Sequence, residues 1–508
     1  MLKAPYDLQL IYTLRYRFSN RARTERVGHG RKKMTINAAN NYQPLPLRVQ
    51  ILHGVGAVAY GIKDNGFAYF LLLFYSTVVG LESALVGTAL LIAMVLDAIS
   101  DPVIGYWSDR TRSRWGRRHP FMYASAFPVA VCYAFLWSPP DWSSQGLFLY
   151  LLVMAVLIRT LITLFETPSS SLLPELTLDY DERTAVQSWR LFFAWTGGTA
   201  LAVIMFGFLL VPTASQPIGT LNRDGYEIYG WLAAGLMFLS IMISTLGTQK
   251  YVRYFGPEQA PTRGSLAGAF GEIKETLFDK NFFALILSSI SGSVATGLTA
   301  ALSFLMLTYF WQFSSLQIFY WTALVVVSAV LGMLIAPRVA RLLGKKRAVL
   351  VLGVLAFTIQ PLPVLLRLLD VLPANGDPSL FPIIVTINTL DLGLIIAMQA
   401  VLGSMVADLV EQAQVTTGRR SEGVFFAAMT FVRKTNQGLG VFFAGLMLQW
   451  VDFPEGSAPS EVSPDVLWNL GATLIPSQCI LWALMLWALF YYRIDRERHQ
   501  ANLAQLQR

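Results

Sequence analysis

Long apolar stretches recur along the chain, separated by short polar connections. They fall at about 51–79, 83–107, 121–139, 146–174, 189–212, 227–248, 282–311, 316–336, 347–369, 380–406, 422–450 and 467–492. Each is near or above the roughly 20 residues that a helix needs to cross about 30 Å of hydrocarbon. The pattern predicts an all-α membrane protein of twelve transmembrane helices. A polar stretch at 249–281 divides them into two six-helix halves, 51–248 and 282–492, leaving an amino-terminal tail at 1–50 and a carboxy-terminal tail at 493–508. Composition agrees: of 508 residues, 54% are hydrophobic and 14% charged, against about 25% charged in soluble domains.

The charged residues fix an expected orientation. Arg110, Arg112, Arg114, Arg117 and Arg118 follow the second run, and Lys250, Arg253, Arg263, Lys274 and Lys280 occupy the middle stretch. Arg338, Arg341, Lys345, Lys346 and Arg347 follow the eighth run, Arg419 and Arg420 the tenth, and Arg493, Arg496 and Arg498 the last. The alternate connections carry Glu82, Asp141, Asp452, Glu455, Glu461 and Asp465, with Arg223 as the exception. Basic connections stay on the cytoplasmic side, so both termini and the middle loop are expected there. The net charge of +8 thus reflects topology and calls for no nucleic acid partner.

The tail at 1–50 is basic, with Arg15, Arg17, Arg21, Arg23, Arg26, Arg31, Lys32 and Lys33. An Arg-rich, acid-poor start also fits a presequence, while Met34 leads directly into the first run. Residues 1–33 are read as an upstream extension from a misassigned start or as a cytoplasmic tail. Short loops and compact tails point to a bacterial inner membrane, and a monomer is expected.

Some chemistries drop out. Cys132 and Cys479 lie in apolar runs, and the four histidines have no ligand spacing. No nucleotide fingerprint or nucleophile–base pattern occurs, so neither an enzyme nor an ATP-driven pump is indicated, and no cofactor is expected.

Ionisable side chains inside spans cost about 2.5–3.5 kcal/mol each on insertion scales, so each marks a candidate site. The first half holds Lys63, Asp64, Asp97, Asp101, Arg159, Glu166 and Arg190; the second holds Asp391, Arg433 and Lys434. Asp97 and Asp101, spaced i, i+4, share one helix face. Two adjacent carboxylates in a low dielectric do not both ionise without a proton or a bound cation. The pair therefore reads as a coupling-ion site for H⁺ or Na⁺. Asp64 and Glu166 suit the hydroxyls of a polyol, since charge-assisted bonds are the strong ones. Arg190 donates to hydroxyls or holds the acids. Lys63 either balances charge or snorkels, and Lys434 either balances the acids or pairs with Asp391. Arg159 receives no role.

"LDAISDPVIGYWSDRTRSRWGRRHPF", from Leu96 to Phe121, resembles the glycoside–pentoside–hexuronide:cation symporter family of the major facilitator superfamily. "GIKDNGFAYFLLLFY", "ETPSSSLLPELTLDYDERTAVQSWRLFFA", "MVADLVEQAQVTTGRRSEGVFFA" and "FVRKTNQGLG" agree in order, over about 50–450. The resemblance implies cation-coupled symport of a sugar or glycoside by alternating access between two halves. It implies Asp97, Asp101 and Thr163 as cation ligands, Na⁺ included, and Asp64, Glu166 and Arg190 as solute-binding residues. Lys434 lies near the cation acids, and Asp408 and Arg420 form a cytoplasmic gate, with Asp109 and Arg110 at the end of the second run. Three departures stand out. The family's asparagine before the second acid is Ser100, which weighs toward H⁺. An aromatic that stacks on the sugar is Ser170, and a tryptophan of the tenth span is Gln399. Phe165, Trp195 and Tyr309 are the candidates to restore a stacking face. Relatives of this fold also carry lysophospholipids, so an amphipathic lipid-like solute is the alternative cargo.

Overall fold

In the computed structural model the described residues are 45–177, 180–214, 216–251, 280–417 and 438–491. Helix α1 runs through Leu47–Val55 and Ala57–Asn65 into two π-helical turns, Gly66–Phe70 and Phe74–Val78. It is followed by α2 (Ser83–Arg110), α3 (His119–Leu136), α4 (Ser144–Ser171), α5 (Tyr180–Ile204, with a π-helical turn Met205–Leu209) and α6 (Arg223–Gln249). The second half holds α7 (Lys280–Leu305, with a π-helical turn Met306–Phe310), α8 (Ser315–Leu343), α9 (Lys345–Ile359, resuming at Leu362–Leu368), α10 (Leu380–Thr417), α11 (described over Gly438–Trp450) and α12 (Pro464–Phe490). Ten of these described helices are long and apolar enough to cross a bilayer. Residues 1–44, 252–279 and 492–508 lie outside the described residues, so the assignments made there have no structural counterpart; the tail expected at 1–50 ends earlier, because α1 begins at Leu47.

Local sequence explains the helix ends. Ser143, Ser314 and Ser463 each accept a hydrogen bond from a first-turn amide of α4, α8 and α12, and Gln317 completes a capping box with Ser314. These caps satisfy amides that have no partner inside the helix. Gly344, at φ +77°, turns the chain sharply from α8 into α9, a backbone angle that side chains disfavour. Helices α1 and α5 pack closely because Gly61 faces α5: a methyl group there would overlap the Ala194 carbonyl.

The caps lie on the face of the bundle that carries the acidic loops. On that face Arg223, the exception to the charge rule, donates to Asp141 at 2.9 Å and to the Pro139 carbonyl at 2.9 Å. The hydrogen bonds that join the two halves among the described residues run from the mid-depth of the bundle to this same face. The amide of Gly456 donates to the Ser76 carbonyl (3.1 Å), the amide of Ser83 to Glu455 (3.3 Å), and Gln449 to Glu82 (2.5 Å). At mid-depth the Gly438 amide contacts the sulfur of Met94 at 3.2 Å. Just inside the seal, Phe304 of α7 stacks on Phe206 of α5 (4.5 Å between ring centres) and packs on Phe70 of α1 (5.1 Å). The acidic-loop side is closed by backbone contacts and an aromatic plug.

The second half is built on an apolar core that includes Leu352, Ala397, Met398, Met405 and Trp482. Several of its polar groups form an uncharged chain. Trp482 Nε1 donates to Gln360 Oε1 (2.6 Å), and the amides of Gln360 and Gln478 both reach Thr299 (3.4 and 3.0 Å).

Candidate functional site

The ionisable residues of the first half gather around one face of α4. Arg159, Thr163, Glu166 and Ser170 follow at spacings of four, three and four, which stacks them along a single stripe of the helix. Two clusters form along it.

The upper part of the stripe meets α2. The Thr163 hydroxyl lies 2.8 Å from Asp97 Oδ1 and 3.0 Å from Asp101 Oδ1. Asp97 and Thr163 are buried and Asp101 is half-buried. A hydroxyl has one hydrogen to donate. It therefore serves one carboxylate, and the other contact requires a carboxyl proton or a neighbouring cation. One turn away, Arg159 Nη1 stands 3.3 Å from Asp97 Oδ2, and its guanidinium lies 4.8 Å from the centre of the Phe67 ring of α1. The ring face favours a cation there.

Further along the stripe, α1 and α5 contribute. Arg190 Nη2 donates to the Ser170 hydroxyl at 2.7 Å and lies 6.0 Å from the centre of the Tyr60 ring. Arg190, Glu166 and Asp64 are all within electrostatic reach of the Tyr60 hydroxyl. Asp64 is open, with its side chain 52% exposed, and accepts an ion pair from Lys63 at 2.6 Å. Lys63 itself is buried, so it pairs with its neighbour and does not snorkel. The arrangement leaves a half-exposed carboxylate near a buried guanidinium and a hydroxyl-bearing ring.

The structure brings Asp97, Asp101 and Thr163 together, and Asp64, Glu166 and Arg190 around Tyr60. It does not supply the stacking faces expected from the sequence. Phe165 and Tyr309 are fully buried, and Tyr309 is tied to the Ser457 carbonyl. Trp195 is 62% exposed, but it shares the outer stripe of α5 with Leu191 and Phe192, turned away from buried Arg190. Arg110 lies 3.7 Å over the Tyr106 ring. The side chains of Asp109 and Asp408, and all of Arg420, Arg433 and Lys434, fall outside the described residues, so the gate and the charge-balancing role of Lys434 have no geometry here. Asp391 is buried in α10 with its Oδ1 unpartnered among the described residues.

The sequence reading named Arg159 without a role and did not name Tyr60. Each lies four residues before a residue of its cluster, Thr163 and Asp64. The i, i+4 spacing that paired Asp97 with Asp101 would have found both. A third contact, away from the bundle centre, was also missed: Arg117 and Arg118 both reach Glu175 at 2.6 Å and tie the basic loop after α2 to the chain beyond α4.

Comparison with known proteins agrees with this architecture. The model of the MFS/sugar transport protein family matches residues 52–496. The inner membrane symporter YicJ of Escherichia coli is 25% identical, over 91% of this chain and 95% of its own length. The sodium-dependent lysophosphatidylcholine symporter 1 of Gallus gallus is 24% identical, over 90% and 88%. The fold resembles the inward-open xylose transporter XylE from E. coli, with a TM-score of 0.55 at 16% identity, covering 89% of this chain and 98% of that one. A family model matched over nearly the whole described bundle makes this chain a multi-pass membrane transporter, not an enzyme, and a member of the glycoside–pentoside–hexuronide symporter group of the major facilitator superfamily.

Proposed function

We propose that the protein couples the entry of a cation, H⁺ or Na⁺, to the transport of a sugar or glycoside. The observation that supports this reading is the single Thr163 hydroxyl between Asp97 and Asp101, whose one hydrogen serves only one of the two carboxylates. Asp97, Asp101 and Thr163 hold the coupling ion, and Asp64, Glu166 and Arg190 hold the solute, with Tyr60 as the ring that faces it. Because Thr163 and Glu166 are one turn apart on α4, filling either cluster alters the field at the other.

Alternating access follows from the two halves. With the basic loops on the cytoplasmic side, the sealed acidic-loop face is external and the conformation is inward-facing. Lys63 and Lys434 balance charge as the halves rock, and Asp109, Arg110, Asp408 and Arg420 close the cytoplasmic side in the opposite state. Bacterial relatives such as the inner membrane symporter YicJ support an inner-membrane location. The protein acts as a monomer.

A lipid-like solute is the second reading. It is favoured by the loss of stacking faces at Ser170 and Gln399, and by the similarity to a lysophosphatidylcholine symporter. Thermal stability of the purified protein against a panel of sugars and lysolipids separates the two. A ligand at a hundredfold excess over its Kd adds about 2.7 kcal/mol to the folded state. A shift with a sugar, lost in Asp64→Asn, supports the first reading; a shift with lysolipids alone replaces it with the second.

A further inference from the structure

We infer that Arg159 is a built-in cation for Asp97, and that no Na⁺ binds between Asp97 and Asp101. This rests on the proposed assignment of the two acids to the coupling-ion site. A metal ion in that place needs the Asp97 carboxylate, and both of its oxygens are engaged: Oδ1 by the Thr163 hydroxyl at 2.8 Å, Oδ2 by the Arg159 guanidinium at 3.3 Å. Arginine does not give up its charge in proteins, so this partner stays cationic at any pH of interest.

The surroundings oppose a second cation. Asp97 is 1% exposed and Arg159 and Thr163 are buried, so on the Asp97 side of the pair, away from half-buried Asp101, water has little access to complete a coordination shell. The nearby cavity, bounded by Asp64, Phe67, Ala68, Leu90, Arg159, Gly438 and Val441, measures about 10 Å³, room for about one water. Na⁺ is a hard cation that takes several oxygen ligands. Here it would find a carboxylate already bonded at both oxygens, room for little more than one water and a guanidinium that repels it. Arg159 has no second acid among its described contacts, and its Nε is buried without a partner. The ion pair with Asp97 and the Phe67 ring are what hold it. The charge that a metal ion would bring and remove in each cycle is thus fixed to α4, and Arg159 makes the carrier independent of Na⁺.

The test uses the full-length protein in detergent, with NaCl exchanged for choline chloride at constant ionic strength and the unfolding midpoint as readout. Wild type is expected to show the same midpoint in both salts. Arg159→Met is expected to gain a Na⁺-specific rise of several degrees, absent when Asp97→Asn is added. Arg159→Gln, which keeps an N–H donor but drops the charge, reads the same way should the Met variant fail to fold. A Na⁺-specific rise in wild type that Asp97→Asn abolishes overturns the inference while keeping the ion site. Indifference to Na⁺ in wild type and in both folded Arg159 variants overturns the ion site, and the inference with it.

Discussion

The two halves of the bundle handle buried polarity in different ways. Among the described residues, the first half concentrates ionisable groups: Lys63, Asp64, Asp97, Asp101, Arg159, Glu166 and Arg190 sit on α1, α2, α4 and α5. Among the described residues, the second half buries one acid, Asp391, and carries the uncharged Trp482–Gln360–Thr299–Gln478 chain around an apolar core. Neutral hydrogen bonds hold helices in register without responding to an ion. Ion pairs respond, because removing one partner leaves a buried charge uncompensated.

The sharpest way to break this contrast is to strand a charge. Asp97→Leu leaves Arg159 buried without its carboxylate and is expected to destabilise the protein by about 3–5 kcal/mol. Adding Arg159→Met removes the orphan and is expected to recover most of that loss, since apolar replacement of a whole buried pair is often neutral. Denaturation midpoints of the two single variants and the double give the coupling directly. Additive losses would mean the pair is not a unit.

A smaller effect is expected from Gly61→Val. The added side chain meets the Ala194 carbonyl and forces α1 away from α5, at about 1–3 kcal/mol. The separation disturbs Asp64 and Arg190, so solute binding should weaken more than stability alone accounts for. Solute-induced midpoint shifts check this.

Trp482→Phe is the control in the second half. It loses the Nε1 hydrogen bond to Gln360, worth about 0.5–1.5 kcal/mol. Solute-induced shifts should be unchanged, and a large change would show that the neutral chain takes part in binding. The smallest effect is expected from Glu82→Ala, which removes the exposed contact with Gln449. It should ease opening of the acidic-loop face, read as faster labelling of a cysteine placed at Phe304, with little change in stability.

The spans and the basic loops were legible because the bilayer imposes a length and a charge rule on every helix. The acids of α2 were legible too, because their four-residue spacing speaks for itself within one helix. What the linear reading lacked was which faces meet. The spacing of Arg159 to Thr163 puts both on one face of α4, but only the packing of α4 on α2 brings Arg159 to Asp97. Trp195 looked suitable as a sugar-stacking ring until its side of α5 was known, whereas Tyr60 drew no notice in an aromatic-rich first helix. The π-helical turns of α1, α5 and α7 carry no periodic signature, since each shifts the register by a single residue. Arg223 broke the charge rule for a local reason, its pairing with Asp141.

The central claim is that an ion cluster and a solute cluster share α4 in the first half. Uptake into proteoliposomes by Asp101→Asn tests it most directly, using the sugar that stabilises wild type most. The account predicts that the variant still binds the sugar and equilibrates it across the membrane, but no longer accumulates it when an ion gradient is imposed. Accumulation at the wild-type level would contradict the assignment of Asp101, and with it the shared role of α4.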